Sequence, residues 1–134
     1  MRVKNENEKG LHRFVAHAKS LELFDFVVGD LTGLGRKGEL LRLISQQLAS
    51  ADSIASNIEE GYGRGGRKEY VQFLIIARGS AQETMGRYQR LKHWLPPDTI
   101  QLRTDLCSEI IAILTATIKT LRSRIAEDNS TRKK

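Results

Sequence analysis

Apolar residues recur at steps of three and four through most of the chain. Leu11, Phe14, Ala18, Leu21, Phe24, Val28 and Leu31 form a first such series, which predicts one face of a helix. Gly33 follows as a stop signal, and Gly35-Arg36-Lys37-Gly38 reads as a short polar loop. A second series runs Leu40, Ile44, Leu48, Ala51, Ile54, Ala55, Ile58, and a third runs Tyr70, Phe73, Leu74, Ala77, Ala81, Met85, Tyr88, Leu91, Leu95. Pro96-Pro97 ends the third, because proline lacks the donor that the next turn needs. Asp98-Thr99-Ile100-Gln101 then has the form of a capping box, with Asp98 as cap and Gln101 reaching back. The fourth series carries Leu102, Leu106, Ile110, Ile113, Leu114, Thr117, Leu121 and Ile125, widened by Cys107, Ile111 and Ile118. A face that wide is buried by several neighbours or forms part of an oligomer interface.

No strand-like alternation competes with these segments. The expectation is therefore an all-α, up-down-up-down antiparallel four-helix bundle over residues 11–126. Residues 1–10 are expected to be a flexible lead, and residues 127–134 a disordered polar and basic tail. Gly79 and Gly86 lie inside the third segment, where each costs about 1 kcal/mol relative to alanine. With Ala77, Ser80 and Ala81 beside them, they suggest a close helix contact.

Composition narrows the class. The chain of 134 residues has 22 Lys and Arg against 16 Asp and Glu, a net charge of +6 that favours an anionic partner. The one cysteine, Cys107, rules out an internal disulfide and fits a reducing cytoplasm; within an apolar helix it reads as an inert buried thiol. The start Met1-Arg2-Val3-Lys4 is charged, unlike a signal peptide, and no apolar run is long enough to cross a bilayer. Membrane partnership is not expected.

The stretch Asn57-Ile58-Glu59-Glu60-Gly61-Tyr62-Gly63-Arg64-Gly65-Gly66-Arg67-Lys68 needs its own account. It lacks the Lys-Ser/Thr pair and the preceding strand of a phosphate loop, and a single Gly-Arg-Gly-Gly-Arg copy makes a poor RGG segment. It suits a corner between helices: Gly61 or Gly63 takes the left-handed conformation, Gly66 caps the next helix, and Glu69 sits at its positive end. Asn57, Glu60 and Arg64 are three and four residues apart and would line one helix edge. They form either a polar network holding the corner or a ligand site at the bundle's end.

No catalytic or metal constellation emerges, and no cofactor is implied. His12 and His17 are five apart, off a shared helical face, and His93 is remote in sequence. Glu59 and Glu60 are adjacent and point apart. The expectation is a protein that is not an enzyme.

Ser53-Ile54-x-x-Asn57-Ile58-x-Glu60-Gly61-x-Gly63-Arg64, followed by Phe73-Leu74-x-x-Ala77-x-Gly79-Ser80-x-x-Glu83, resembles a small four-helix-bundle family. Its members are encoded by intervening sequences in bacterial large-subunit ribosomal RNA genes, and its relatives include the accessory variability proteins of diversity-generating retroelements. Ala55 stands where a proline is common and Glu59 where an alanine is common. The resemblance implies a homo-oligomer, a pentamer arranged as a barrel, and partners among RNA or nucleoprotein; the retroelement relatives contact a reverse transcriptase and RNA. A protein partner with no nucleic-acid role is the alternative.

The charge distribution suits a phosphate-binding face. Between residues 64 and 92 stand Arg64, Arg67, Lys68, Arg78, Arg87, Arg90 and Lys92 against only Glu69 and Glu83. Arg67, Arg78, Arg87 and Arg90 are expected as a stripe on the solvated side of the third helix. Arg122 and Arg124 extend it near the C-terminal end, with Arg132, Lys133 and Lys134 beyond. Tyr62 is the aromatic placed to stack on a base.

Overall fold

Each helix begins and ends for a local reason. The computed structural model describes residues 14–35 and 38–132. Helix α1 (Val15–Thr32) follows extended Phe14 and stops at Gly33. Helix α2 (Gly38–Gly63) starts at a glycine with φ +54° and runs straight through Gly61 and Gly63. The left-handed residue of the corner is therefore Gly65, at φ +80°, rather than Gly61 or Gly63. Gly66 does cap helix α3 (Arg67–Arg90), and the Tyr70 N–H donates to its carbonyl at 3.0 Å. A 3₁₀ turn, Leu91–His93, leads to Pro96, and helix α4 (Pro97–Arg132) opens on proline, whose missing N–H costs nothing at a first helical position. The expected capping box does not form: Gln101 turns forward and donates to Asp105 at 2.8 Å.

No strand occurs among the described residues, and the four helices form a four-helix bundle in which each packs on two neighbours. Cross-helix partners run in opposite order along three of the four neighbouring pairs. Lys19 meets Glu109 and Asp30 meets Arg103; Gln47 meets Thr84 and Ser53 meets Ser80; Arg67 meets Asp128 and Arg78 meets Thr115. The core holds Leu23, Val27, Ile54, Ile58, Leu74, Tyr88, Leu91, Cys107, Ile110, Leu114 and Ile118.

Two expectations are corrected here, and the two alternatives for the fourth helix are decided. On α1 the buried face is Ala16, His17, Ser20, Leu23, Val27 and Leu31, while Ala18, Leu21 and Val28 face outward. This helix is apolar on two sides, so periodicity alone does not choose between them. The side with small residues and with Asp30 is the one that reaches α3 and α4. On α4, Leu102 is exposed, but Cys107 and Ile118 are buried against the other helices, so the wide apolar face is used largely within the chain. Residues 127–132, expected in a disordered tail, extend α4 by more than a turn, and Asp128 accepts from Arg67 at 2.6 Å. Residues 1–10, 133 and 134 lie outside the described residues.

Polar groups tie the apolar layers together. Tyr88 Oη donates to Asp30 Oδ2 at 2.7 Å, and Arg103 grips the same carboxylate through Nε (2.8 Å) and Nη2 (3.0 Å). The guanidinium also lies over the Phe26 ring, 4.0 Å from its centre. Burial first, then the Asp30 bond, drives the Tyr88 hydroxyl well above its ordinary pKa. This cluster joins α1, α3 and α4. Across α2 and α3 runs a second set: Asn57 Nδ2 to Ser53 Oγ (2.9 Å), Ser80 Oγ to Ser53 Oγ (2.9 Å), Ser50 with Thr84 (2.8 Å), and Gln47 Nε2 to the Thr84 carbonyl (2.9 Å).

Among the described glycines, Gly61 has the tightest surroundings, against α3. A methyl group there would sit 2.6 Å from Phe73 Cβ and 3.1 Å from Tyr70 Cδ1. Phe73 Cβ is anchored to its backbone, so the helices themselves would have to part. Gly79 and Gly86, expected at a close contact, instead have room: nothing lies within 4 Å of a Cβ on Gly79, and only Arg90 Nη1 (3.7 Å) approaches one on Gly86.

Gly61→Ala is therefore expected to destabilise the protein by about 1–3 kcal/mol through overpacking. Gly79→Ala should stabilise it by about 0.5–1 kcal/mol, the ordinary helix-interior gain. Urea denaturation of both variants checks the opposite signs. Burial pushes the Cys107 thiol up from 9.0 to about 12, so it stays protonated where an unfolded chain's thiol ionises. The folded state's advantage is thus complete below about pH 9 and falls as pH climbs toward about 12. Denaturation midpoints measured from pH 8 upward should decline less steeply in Cys107→Ala than in wild type.

Candidate nucleic-acid interface

At the corner between α2 and α3 polar side chains pair with one another beside an open hollow of about 410 Å³ lined by Ser56, Glu59, Glu60, Gly63 and Arg64. Arg64 donates to Glu60 Oε1 through Nε (3.1 Å) and Nη2 (2.7 Å), one turn apart on α2, and lies over the Phe73 ring at 5.5 Å. Asn57 does not join that pair; it turns back to Ser53, bonding its carbonyl at 2.7 Å as well as its hydroxyl. Glu59, the unusual charge at this corner, has Oε2 2.8 Å from Nε2 of buried His17 on α1. Tyr62 is half-buried and meets Tyr70 edge to face at 6.0 Å, so its ring is engaged within the fold. Among the described residues no three His, Cys, Asp or Glu side chains converge as metal ligands, and His12 lies outside them.

The basic residues expected as one stripe separate into three groups. Arg64 and Arg67 are exposed but paired, with Glu60 and Asp128. Lys68, Arg90, Lys92, Arg122 and Arg124 are exposed. Arg87 is buried, and its place in a solvated stripe is overturned. Its Nη1 donates to Gln47 Oε1 (2.9 Å), Ser50 Oγ (2.9 Å) and the Gln46 carbonyl (3.4 Å), all neutral acceptors on α2, and its Nε is buried with no partner. Burial and then the Arg90 charge hold its guanidinium below the usual arginine pKa, with Glu83 opposing them. The position faces inward because Thr84 and Leu91, both buried, lie three and four residues away on the same side.

One juxtaposition was not apparent from the linear charge pattern. Arg78 on α3 and Lys119 and Arg122 on α4 line a shallow groove of about 430 Å³, together with Thr115, Ile118, Ser123 and Ala126. Arg78 Nη1 donates to Thr115 Oγ1 at 3.4 Å. Lys119 escaped notice because it lies far from the basic run of residues 64–92. The available signal was its three-residue spacing from Arg122, with no acidic residue three or four positions away from either.

A second cleft, about 570 Å³, lies between the α2–α3 corner and the end of α4, among Gly65, Gly66, Arg67, Lys68, Glu69, Ile125, Asp128, Asn129 and Arg132. Here Asp128 already supplies an anion to Arg67. An apolar hollow of about 360 Å³ lies between α1 and α2, lined by Val28, Leu31, Leu41, Ile44 and Leu48, with Val28 and Leu41 largely exposed. No helix among the described residues is long and apolar enough to cross a membrane.

Comparison with known proteins places this arrangement. No curated protein matches the chain. Among solved structures, it is similar to a Bacteroides thetaiotaomicron protein of unknown function from the S23 ribosomal protein family, with 26% identity and a TM-score of 0.72. The match covers 78% of this chain and 96% of that one. Residues 13–116 match the family model of the 23S rRNA-intervening sequence protein, a span taking in all of α1 to α3 and over half of α4. The chain belongs to the 23S rRNA-intervening sequence protein family.

Proposed function

We propose that the protein is a non-enzymatic, oligomeric scaffold of the cytoplasm that associates with RNA by binding phosphates through charge. The observation that carries this reading is the pairing pattern of its cations. Lys19, Arg64, Arg67 and Arg103 each have a carboxylate. Arg78, Arg90, Lys92, Lys119, Arg122 and Arg124 have none within ion-pair distance among the described residues, and all lie on α3, α4 or the turn between them. Among the described residues Arg42 on α2 is also unpaired, so the surplus is concentrated on α3 and α4 rather than confined to them; such a surplus of uncompensated cations favours a polyanion. The family's name, tied to an intervening sequence of 23S rRNA, points to RNA as that polyanion. Kinship with retroelement accessory proteins, which work beside RNA, belongs to the same reading.

The scaffold is an up-down-up-down antiparallel bundle, a topology supported by the opposite order of its cross-helix pairs. Copies assemble as a ring, a homopentamer on the family pattern, which multiplies the basic face. The outward apolar residues of α1 and α2 (Leu21, Val28, Leu41) support self-association. The same apolar hollow favours a second reading, a module that docks another protein with no nucleic-acid role. The strongly shifted groups support a binding protein over an enzyme: Tyr88 and Cys107 are fully buried, Tyr70 is half-buried, and none of them lines the clefts described above.

Fluorescence anisotropy with a labelled structured RNA, on protein of measured oligomeric mass, tests the proposal. Binding should weaken with salt at a log–log slope of about −4, as for six phosphate contacts. Arg90→Glu/Lys92→Glu should weaken binding at least tenfold with the fold intact. Arg87→Glu is instead expected to cost several kcal/mol of stability, because it buries a carboxylate among neutral groups. Absence of binding at low salt, with salt-tolerant capture of a protein on the apolar hollow, would favour the second reading.

A further inference from the structure

We infer that the groove between α3 and α4 is the seat of the RNA backbone, with Arg78, Lys119 and Arg122 each taking a phosphodiester oxygen. The inference rests on the RNA-associated reading above and names the site within it.

The local sequence leaves these three cations uncompensated by construction. The helical neighbours of Arg78 are Leu74, Ile75, Ala81 and Gln82; those of Lys119 are Thr115, Ala116, Arg122 and Ser123; those of Arg122 are Ile118, Lys119, Ile125 and Ala126. None is acidic, so no pair one turn away quenches the charge. Nor does any carboxylate line the groove. The contrast lies along the same helix seam, where Arg67 meets Asp128 and the second cleft sets two carboxylates, Glu69 and Asp128, against its three cations.

The remaining lining residues complete the chemistry. Thr115 and Ser123 offer hydroxyls that can donate to phosphate oxygens, and both lie on the same strip of α4 as Lys119. Arg78 crosses from α3 to Thr115, so its guanidinium is aimed over the groove rather than away from it. From Thr115 to Ser123 the strip rises about 12 Å, at ~1.5 Å per residue. A nucleic-acid strand places a phosphate every ~3.4 Å of helix axis, so three or four phosphates span that length and three cations face them. At about 430 Å³ the groove has room for on the order of a dozen waters, at ~30 Å³ each, and so for a hydrated backbone segment. It contains no aromatic ring on which a base could stack, which makes recognition sequence-independent.

The test uses the full chain and two charge-matched triple variants. Arg78→Gln/Lys119→Gln/Arg122→Gln empties the groove of charge. Arg42→Gln/Lys68→Gln/Arg132→Gln removes as much charge from exposed positions elsewhere. All six residues lack a carboxylate partner among the described residues, so both variants should keep the wild-type melting temperature, checked by circular dichroism. Affinity for a labelled RNA is then measured across a salt series, with inorganic phosphate and an unlabelled RNA of scrambled sequence as competitors. The groove variant is expected to lose affinity at least tenfold more than the control, and its salt slope to fall by about 2, as for three lost contacts at ~0.7 each. The scrambled RNA should compete as well as the original.

Equal losses in the two variants would overturn the groove assignment while leaving RNA association standing. So would competition by millimolar inorganic phosphate, which would make this a site for the free anion. Failure of the wild-type protein to bind RNA at low salt would overturn both the assignment and the reading beneath it.

Discussion

The near-contact of α2 and α3 at Gly61 sets the terms for the rest of the bundle. With only 2.6 Å between Phe73 Cβ and the place a methyl group would occupy, this crossing tolerates a hydrogen atom and nothing larger. The close approach brings the Ser53 and Ser80 hydroxyls to 2.9 Å and those of Ser50 and Thr84 to 2.8 Å. Those bonds have directions, so they define a register that apolar packing alone would leave adjustable. Arg87 then inserts into the same seam, satisfied by neutral oxygens of α2 on one side and left with an unpartnered Nε on the other.

On the other side of α3 the interaction is ionic. Asp30 collects Tyr88 and Arg103, so one carboxylate ties three helices, and the Phe26 ring covers the guanidinium. The two arrangements differ in chemistry and in consequence. Around Asp30 the buried cation is matched by a buried anion. Around Arg87 it is not, and stability there depends on excluding water from neutral hydrogen bonds. This accounts for how one helix carries both an inward arginine and outward ones without any change in local composition.

Much of the site was legible in the sequence only as a total charge. The surplus of basic residues over positions 64–92, and Arg122 with Arg124, is visible in the linear chain. Which of them remain available is not, because that depends on partners 61 residues away, as with Arg67 and Asp128, or 37, as with Arg78 and Thr115. Glu59 is the reverse case. It looks anomalous as a charge at a helix corner, yet its carboxylate meets His17 of α1, a partner 42 residues distant. The Glu60–Arg64 pair, by contrast, is read directly, since both ends lie on one helix a turn apart.

The sequence by itself determined the number and order of the helices, their all-α class, a glycine-rich corner with Gly66 as cap, and the break at Pro96-Pro97. These follow from backbone chemistry and periodicity within a dozen residues, which no distant partner alters. Tertiary structure decided which face of α1 turns inward, that Gly61 rather than Gly79 is the close contact, and that Arg87 is buried while Arg78, Lys119 and Arg122 share a groove. The reason is the same in each case. An α-helix with two apolar sides, or with basic residues all round, has several orientations of similar local energy. Only the shape and charge of the helices packed against it choose among them.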